Sequence, residues 1–341
     1  MLDHALARAD QDVHAQAECF IAADVGGTHA RLALIDAGNR EAPHLRYFRS
    51  YACREHRDLG ALMRHYLTEL NQLAPSLQHP HSAVIACAGY VLDDKLVHAN
   101  LPWAVDLAVL RRSVGLDQLA FVNDFEAVAI AVARLPFEAM DGLLSPAAPP
   151  RRAPILVLGA GTGFGAALCV PIGDGLHVLA TEAGQAGFAP ATADGLALLT
   201  LWRQRQPQVR IEDLLSGPGL LRIYRGLCEL GQQAATFETP AAVSRAASSD
   251  ALAARAVEVF CAELGSVCAD LLLATGAQGG VRLAGGVLPH LRANLLRGEF
   301  QQRFHDKGAM RAQLERVPVH LVEHGDLGVL GAARWHLAGG V

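Results

Sequence analysis

The chain has 341 residues, of which 51% are hydrophobic and 18% are charged, a balance that excludes a disordered protein and suits two well-cored domains. The formal net charge is −5, no basic block occurs, and no apolar run reaches the roughly 18 residues of a membrane span, so neither nucleic acid nor a membrane is an expected partner. The seven cysteines form no C-x-x-C pair, which favours a reducing cytoplasm over a disulfide framework or a zinc site.

Apolar periodicity predicts the elements of the chain in order. Residues 1–17 lack the apolar core of a signal peptide and are predicted to form a flexible extension. Residues 20–36 predict two strands joined by a tight turn at Gly26-Gly27. The other predicted elements are a helix at 56–73, a buried strand at 82–89, a strand and helix at 119–135 that meet at Asn123-Asp124, a glycine hairpin at 155–170, helices at 194–206 and 251–274, a strand and helix start at 279–291, and a helix at 326–339.

A proline-rich stretch at 143–154 is predicted to be a linker between two domains. The hairpin after it resembles the first one, because Gly26–Thr28 and Ala160–Thr162 each lie between an apolar strand and a strand rich in Ala and Leu. We interpret the pair as an internal duplication with one glycine hairpin in each domain. Two glycine hairpins that are similar only by chance are the alternative.

The glycine turns indicate phosphate binding, since glycine lets backbone N–H groups approach an anion closely. A third turn, Gly285-Gly286, precedes a helix and suits the base and ribose of a nucleotide. Asp24 precedes the first turn, and its carboxylate would repel phosphate unless Mg²⁺ or its waters lay between them. The alternative for each turn is hairpin chemistry alone. No Walker A pattern occurs, and the turn at 161–163 is followed by a predicted strand, unlike a Rossmann turn.

Asn123 and Asp124 lie where a predicted strand gives way to a helix, and two interpretations are open. Both residue types are preferred as helix N-caps, so capping alone would explain them. The functional interpretation makes Asp124 a general base, because an ordinary Asp is ionised at neutral pH and can accept a hydroxyl proton during phosphoryl transfer. Asn123 would then offer a donor and an acceptor to a polyol.

Two further acidic residues lie in stretches that suit a neutral polyol. Glu182 belongs to the sequence TEAGQAGFAP, in which Gln185 follows three residues later, and Glu212 lies four residues before Ser216. An ionised carboxylate accepts several charge-assisted hydrogen bonds, so converging carboxylates would define the hydroxyl pattern of a sugar. A solvated turn is the alternative for Glu182, and an acidic helix start is the alternative for Glu212.

Six stretches together resemble the bacterial glucokinases, the ATP-dependent hexokinases of the actin-like ATPase superfamily. They are DVGGTHARLAL, FVNDFEAVA, GAGTGFG, TEAGQAGFAP, LLSGPGLLRIY and LAGGVLP, in the order of that family. The resemblance implies an α/β actin-like ATPase (ribonuclease H-like) fold with two α/β domains around a central cleft. A small domain would hold residues 18–134 plus 325–341, and a large domain would hold residues 135–324.

The resemblance also implies an activity: phosphorylation of D-glucose at its 6-hydroxyl with ATP and Mg²⁺, giving glucose 6-phosphate and ADP in the first step of glycolysis, by a cytoplasmic homodimer. Asp124 would be the catalytic base, and Asp24 would hold Mg²⁺ through water. The implied sugar contacts are Asn100, Asn123, Asp124, Glu182, Gln185 and Glu212. The implied ATP contacts are Asp24, Gly26, Gly27, Thr28, Gly161, Thr162, Gly163, Gly285 and Gly286.

The sequence departs from the family at three positions. His29 replaces an Asn after the first glycine turn, Ala183 replaces a Gly, and Gln185 replaces a sugar-contacting His. The change at Gln185 leaves two alternatives open: a sugar-binding sensor with weak kinase activity, and a kinase that prefers another hexose such as mannose or glucosamine. We expect the variant Gln185→His to tighten the KM for glucose.

Overall fold

The computed structural model describes residues 19–38, 43–77, 79–97, 101–145, 152–173, 175–323 and 325–340. The predicted extension, the predicted sugar contact Asn100 and residues 146–151 of the predicted linker lie outside these ranges. The chain divides into two compact units, and each contains a sheet and helices. The first unit comprises the described residues up to Ala131 together with those from Gly325, and the second comprises the described residues of Val132–His324.

The strands within the described ranges are numbered in chain order. They are β1 (Cys19–Val25), β2 (His29–Asp36), β3 (Leu45–Ala52), β4 (Ser82–Cys87), β5 (Tyr90–Leu92), β6 (Lys95–Val97), β7 (Gln118–Asn123), β8 (Asp141–Leu144), β9 (Ile155–Ala160), β10 (Phe164–Ile172), β11 (Gly175–Thr181), β12 (Gly280–Ala284) and β13 (Val319–Leu321).

The helices are numbered in the same way. They are α1 (Leu59–Leu73), α2 (Leu107–Val114), α3 (Asp124–Val132), α4 (Ala193–Arg203), α5 (Gly217–Leu230), α6 (Pro240–Ala246), α7 (Ala251–Thr275), α8 (Arg292–Leu295), α9 (Glu299–His305), α10 (Arg311–Leu314) and α11 (Leu327–Leu337). Two short 3₁₀ turns also matter for the site, at Ala183–Gln185 and Ile211–Asp213.

The first unit is built on a sheet in the order β3-β2-β1-β4-β7. β1, β2 and β3 are joined as antiparallel neighbours, whereas β1, β4 and β7 run parallel. Side chains of β1 alternate between the two faces, as a strand requires. Ile21 packs in the core that includes α1, and Phe20 packs in the core that includes α11. Both faces are therefore covered, which is why β1 reads as an unbroken apolar run.

Helix α1 shows how the sequence specifies one of these layers. Asp58 caps the helix by accepting a hydrogen bond from the backbone N–H of Ala61 at 2.6 Å. Leu62, Tyr66 and Leu70 recur at helical spacing and are all buried against the sheet. The predicted helix at 56–73 is confirmed, with its first turn beginning at Leu59.

The second unit is built on a sheet in the order β11-β10-β9-β12-β13-β8. β9, β12 and β13 run parallel, β10 and β11 continue from β9 as antiparallel neighbours, and β8 closes the other edge. Its largest core joins the sheet to α5, α7 and α9 through side chains such as Leu158, Tyr224, Phe260 and Phe300. The two sheets therefore share one order over five strands, which supports the internal duplication.

The predicted linker is partly wrong. Leu143 and Leu144 are the end of β8, and Leu144 is buried in the second core because β8 pairs with β13. The proline-rich composition hid this short edge strand, since four residues give little periodicity. The other predicted strands and helices, including the two glycine hairpins and the long helix at 251–274, are confirmed.

Among the described residues no helix is both long and apolar enough to span a membrane. All seven cysteines are free thiols, and each is buried except Cys19, which is half-buried.

Candidate active site

The parallel strands of the first unit bring several predicted site residues to one edge of its sheet. Val25 of β1 aligns with Cys87 of β4, which in turn aligns with Asn123 of β7. Carboxyl ends of parallel strands meet at the same edge, so Asp24, the glycine turn after β1 and Asp124 share that edge. Burial raises the pKa of the Cys87 thiol, and the charges of Asp124 and Asp24 raise it further, because both carboxylates lie near it.

Asp24 is a buried carboxylate with a defined partner. Only 9% of the residue is exposed, and its Oδ2 accepts a hydrogen bond from Nη1 of Arg31, its cross-strand neighbour, at 3.2 Å. Helix α11 approaches so closely that a Cβ at Gly328 would collide with the Asp24 side chain. Packing and the ion pair thus fix the position of this carboxylate beside the first glycine turn.

Asn123 and Asp124 begin helix α3 directly after β7. The side-chain oxygen of Asn123 accepts from the backbone N–H groups of Phe125 and Glu126 at 3.0 and 3.1 Å, so Asn123 is the N-cap. Asn123 was expected to offer a ligand both an acceptor and a donor. Because its side-chain oxygen already accepts these two backbone hydrogen bonds, only its amide NH₂ group is left for a ligand. Asp124 is the first helical residue, is half-buried, and accepts from the N–H of Phe125 at 2.8 Å.

The first glycine turn is exposed, as a phosphate site requires. Gly26, Gly27 and Thr28 are all exposed, and the N–H of Gly26 donates to the His29 carbonyl at 3.0 Å to close the turn. Neither glycine has a positive φ, so the backbone conformation does not demand glycine here. Bare backbone at this turn instead leaves room for a ligand, which agrees with the predicted role.

The second glycine turn is tied to a helix N-terminus. The N–H of Gly161 donates to the Gly163 carbonyl at 2.9 Å, and the Gly161 carbonyl accepts from Gly217, the first residue of α5, at 2.8 Å. Thr162 at the tip is exposed. Ser216 caps α5 through the N–H of Gly219 at 3.0 Å. The positive end of a fourteen-residue helix therefore lies beside this turn, which favours an anion there.

The third glycine turn adjoins the second. Gly285 follows β12 with φ +108°, and a Cβ there would collide with the backbone of Ala160 at the end of β9. The N–H of Val287 donates to the Ala160 carbonyl at 3.2 Å. Gly286 is exposed and has open space around its Cα. Gly285 is therefore required by packing, while Gly286 is the residue of the pair that is open to a ligand.

Glu212 is held at the second glycine turn. Its Oε2 accepts from the backbone N–H of Phe164 at 3.1 Å, and its Oε1 accepts from Nε2 of Gln185 at 3.2 Å. A Cβ at Gly163 would collide with the Glu212 carboxylate, so this glycine makes the approach possible. The predicted sugar contacts Gln185 and Glu212 are thus direct neighbours, although 26 residues separate them in the chain.

Arg210 completes this cluster, and it was not among the predicted site residues. Its Nη1 donates to Oε1 of Gln185 at 2.7 Å, and its Nη2 donates to Oδ1 of Asp213 at 3.0 Å. Burial alone would raise the pKa of Asp213, but the hydrogen bonds from Arg210 and the charge of Arg222 outweigh it and hold that pKa below its usual value. In the sequence, Arg210 stands two residues before the pair Glu212-Asp213, and it was missed because only carboxylates and amides were considered as sugar contacts.

Glu182 differs from Glu212 in having an open surrounding. Its side chain is exposed, and no hydrogen bond or ion pair joins its carboxylate to any residue within the described ranges. The 3₁₀ turn that follows it is closed by the N–H of Gln185, which donates to the Glu182 carbonyl at 2.9 Å. Its lone pairs are free to accept sugar hydroxyls.

Glu263, in the middle of α7, is a second residue that sequence inspection missed. Its buried carboxylate accepts hydrogen bonds from the N–H of Ala191 and from both the N–H and hydroxyl of Thr192, at 2.9, 3.0 and 2.6 Å. Burial raises its pKa above the usual value, against these hydrogen bonds. Glu263 anchors the residues that follow TEAGQAGFAP, and it is buried whereas the other two carboxylates of α7, Glu258 and Asp270, are exposed.

The residues of the first unit fit a magnesium ion bound beside phosphate. Mg²⁺ keeps several waters and takes one or two carboxylates plus substrate phosphates. Asp24 supplies such a carboxylate at the edge of an exposed glycine turn. Among the described residues no group of three or more His, Cys, Asp or Glu side chains is placed to hold a metal ion.

Comparison with solved structures identifies the class of protein that this fold defines. The crystal structure of a glucokinase from an Antarctic psychrotroph superposes with a TM-score of 0.79 at 31% identity, over 95% of this chain and 100% of that one. A glucokinase from Balamuthia mandrillaris, solved in complex with glucose, superposes with a TM-score of 0.78 at 19% identity, over 99% of both chains. The fold is the α/β actin-like ATPase fold of the sugar kinases.

The sequence comparisons narrow that class. A family model described as Glucokinase matches residues 21–338. A glucokinase-like protein of Xylella fastidiosa (strain 9a5c) is 42% identical over 323 residues, which cover 93% of this chain and 94% of that protein. The chain belongs to the glucokinase family and is a sugar kinase, a transferase that acts on a carbohydrate hydroxyl.

Proposed function

We propose that this kinase transfers the γ-phosphoryl group of ATP to the 6-hydroxyl of D-glucose, giving glucose 6-phosphate and ADP. The observation that carries the proposal is the edge of the first sheet, where Asp24, an exposed glycine turn and Asp124 lie together. A carboxylate for a metal, bare N–H groups for phosphate and a second carboxylate for a proton are the parts that phosphoryl transfer needs.

Asp124 is the proposed general base. Its position at the first residue of α3 places it in the positive field of the helix N-terminus. One of its oxygens is turned toward the N–H of Phe125, which fixes the orientation of the side chain. Asp124 would orient the 6-hydroxyl for attack and accept its proton as the bond to phosphorus forms.

The glycine turns are proposed to hold ATP. Backbone N–H groups at the turns of Gly26–Thr28 and Gly161–Gly163 would donate to phosphate oxygens, and the N-terminus of α5 would add a favourable field beside the second turn. Gly286 would lie against the adenosine. Asp24 would hold Mg²⁺ through water, and when bound the ion would neutralise charge on the β- and γ-phosphates.

The side chains proposed to contact the sugar differ in how firmly hydrogen bonds within the protein hold them. Glu182 would accept hydroxyl hydrogens with an open carboxylate, and Glu212 would do so with a carboxylate already fixed by Phe164 and Gln185. The NH₂ group of Asn123 would donate to a hydroxyl oxygen. Glucose as the ligand is supported by the glucose complex of the Balamuthia mandrillaris glucokinase and by the glucokinase family membership.

A coupled assay of ADP release across a panel of hexoses tests this function. D-glucose, D-mannose, D-glucosamine and a sugar-free control would be compared at saturating Mg²⁺ and ATP. We expect the highest kcat/KM with D-glucose and slow release without sugar. Higher kcat/KM with another hexose would show that the pocket around Gln185 selects a different sugar. Absence of ADP release with every hexose, together with sugar-dependent thermal shifts, would replace the kinase proposal with a sugar sensor.

We also propose that the enzyme works in the cytoplasm as a homodimer. The free state of all seven thiols fits a reducing compartment. Light scattering during size-exclusion chromatography measures the assembly directly, and a mass near that of one 36.1 kDa chain would show a monomer instead.

A further inference from the structure

We propose that Arg210 is a positioning residue for sugar binding, because it fixes the orientation of the Gln185 amide. The inference rests on the proposed function and deepens it by assigning a specificity role to a residue outside the sugar contacts. It follows from the contacts around two short segments of the second unit, residues 185–188 and 208–211.

Backbone pairing brings the two segments together. The N–H of Phe188 donates to the Val209 carbonyl at 2.9 Å, and the N–H of Ile211 donates to the Ala186 carbonyl at 3.0 Å. Arg210 lies opposite Gly187 in this pairing, and Gln185 is only two residues before Gly187, so the main chain brings the Arg210 guanidinium within reach of the Gln185 amide.

The contacts of the guanidinium leave one orientation for the amide. Nη1 of Arg210 donates to Oε1 of Gln185 at 2.7 Å, and Nε2 of Gln185 donates to Oε1 of Glu212 at 3.2 Å. In the reverse orientation the amide NH₂ would face the guanidinium and the amide carbonyl would face the carboxylate, so both contacts would become repulsive. Arg210 on one side and Glu212 on the other thus make Gln185 a directed hydrogen-bond donor.

The Arg210 guanidinium is itself fixed by the carboxylate of Asp213. Its Nε and Nη2 bond both oxygens of Asp213, at 3.4 and 3.0 Å, and Asp213 also lies 3.4 Å from Nη1 of Arg222. Arg222 in turn lies over the ring of Trp202, 4.3 Å from its centroid. This arrangement uses the forked shape of the guanidinium, which lysine lacks.

The chemical consequence concerns which sugar atom meets Gln185. With its carbonyl taken by Arg210 and one N–H taken by Glu212, the amide presents its remaining N–H to a ligand, so it requires an acceptor oxygen there. Without Arg210 the amide can turn and offer either group. Loss of Arg210 should therefore weaken and broaden sugar binding while leaving phosphoryl transfer intact.

Steady-state kinetics on Arg210→Ala, Gln185→Ala and the double variant test the proposal, with D-glucose, D-mannose and D-glucosamine as the probes. We expect Arg210→Ala to raise the KM for D-glucose about tenfold, with kcat and the KM for ATP close to wild type. In the Gln185→Ala background the same change should add less than it does alone, because the amide is then absent and only the contact of Arg210 Nη1 with Glu212 Oε1 at 3.6 Å remains to be lost. A wild-type KM in Arg210→Ala, or a full additive effect in the double variant, would overturn the role.

Two further variants separate positioning from stability. Arg222→Ala removes one of the partners that Asp213 has besides Arg210, without touching Gln185, so we expect a lower melting temperature and an unchanged sugar KM. Arg210→Lys keeps the charge but cannot bond Asp213 and Gln185 at the same time, so we expect its KM for D-glucose to rise about as much as that of Arg210→Ala. If Arg210→Ala does not fold, Arg210→Lys provides the test in its place. A wild-type KM in Arg210→Lys, or a raised KM in Arg222→Ala, would show that charge or local stability is sufficient.

Calorimetric titration of D-glucose into the same variants measures sugar binding without turnover. It therefore separates the positioning role of Arg210 from the proposed kinase activity. Turnover by the wild type with an unchanged sugar KM in Arg210→Ala would refute the role of Arg210 alone. Glucose binding without turnover would refute the kinase proposal, and the Kd ratio of wild type to Arg210→Ala would still decide the role of Arg210. Absence of both turnover and binding would refute both proposals.

Discussion

The two sheets share one strand order, yet the edges where their parallel strands end carry different chemistry. In the first unit, β1 ends next to Asp24 and β7 is followed by Asp124. In the second unit, β9 takes the place of β1, and its penultimate residue is Gly159 where β1 has Asp24. β13 takes the place of β7 and is followed by the buried, apolar Val322. A common topology therefore sets where a site can form, while the few residues beyond each strand decide what it can do.

The glycine turns of the two units differ in the same way. In the first turn, Gly27 and Thr28 lie between the hydrogen-bonded residues Gly26 and His29, whereas in the second only Thr162 separates Gly161 from Gly163. The shorter turn receives Glu212 and the N-terminus of α5, whereas the first turn receives Cys53, whose N–H donates to the Thr28 carbonyl at 2.9 Å. The two hairpins therefore share their strand arrangement and differ at the tip.

The largest expected effect comes from the carboxylate that only the first edge carries. Asp124→Asn removes the proposed base but keeps the shape of the side chain, so we expect kcat to fall by about 10²–10⁴ with a native melting temperature. Glu323→Gln is the matched control, because Glu323 is an exposed carboxylate just beyond β13 at the corresponding edge of the second unit. Near-wild-type kcat in Asp124→Asn would remove Asp124 from the mechanism.

Two adjacent glycines sharpen the distinction between packing and binding. Gly285→Ala adds a Cβ at φ +108° against the Ala160 backbone, so we expect unfolding to become easier by about 2–4 kcal/mol in chemical denaturation. Gly286→Ala enters open space and should stay within about 0.5 kcal/mol of wild type while raising the KM for ATP. Equal stability losses in the two variants would mean that the third turn is purely structural.

The smallest expected effect concerns acid sensitivity of the first unit. Burial lowers the pKa of His336, whose Nδ1 is buried without a hydrogen-bond partner among the described residues and whose ring packs 4.5 Å from that of Phe20. The unfolded chain therefore binds the proton more readily, and stability is lost as pH falls from about 6.5 toward the lower folded pKa.

His336→Phe removes that titration and keeps a ring against Phe20. Its melting temperature should fall less than that of the wild type between pH 7 and pH 5, measured by scanning calorimetry. His177→Gln is the control, because His177 is exposed in β11 and should leave the slope unchanged. An identical pH slope in wild type and His336→Phe would show that the acid sensitivity arises elsewhere.

Sequence patterns predicted many of the elements whose side chains meet a core, but not α5 and α9, although Tyr224 and Phe300 lie in the second core. The two glycine hairpins, α1, α7 and α11 were all predicted, because their apolar residues recur at the period of the element. Edge strands were also missed, among them β3, most of whose residues are half-buried, and β11, which is largely exposed. Their stability comes from backbone hydrogen bonds to one neighbour, and such bonds leave no mark in the pattern of side chains.

The residues of the candidate site also divide into those that the sequence predicted and those that it did not. Asp24, Asp124, Glu182 and Glu212 could be selected from the sequence, because an ionisable residue in a glycine-rich or strand-end setting is conspicuous. Arg210 could not, since nothing in its neighbourhood shows that it meets Gln185. Glu263 was missed because it lies within an Ala-rich helix whose pattern predicts only packing.

The sequence by itself determined the family, the class of fold and the residue types available for phosphoryl transfer, because motifs and periodicities are local properties of the chain. Tertiary structure alone decided which of those residues touch. Backbone pairing of residues 185–188 with 208–211 places Arg210 on Gln185, and the packing of α5 on the second turn places Glu212 on Phe164. Such contacts depend on distances between remote segments, which only the folded chain fixes.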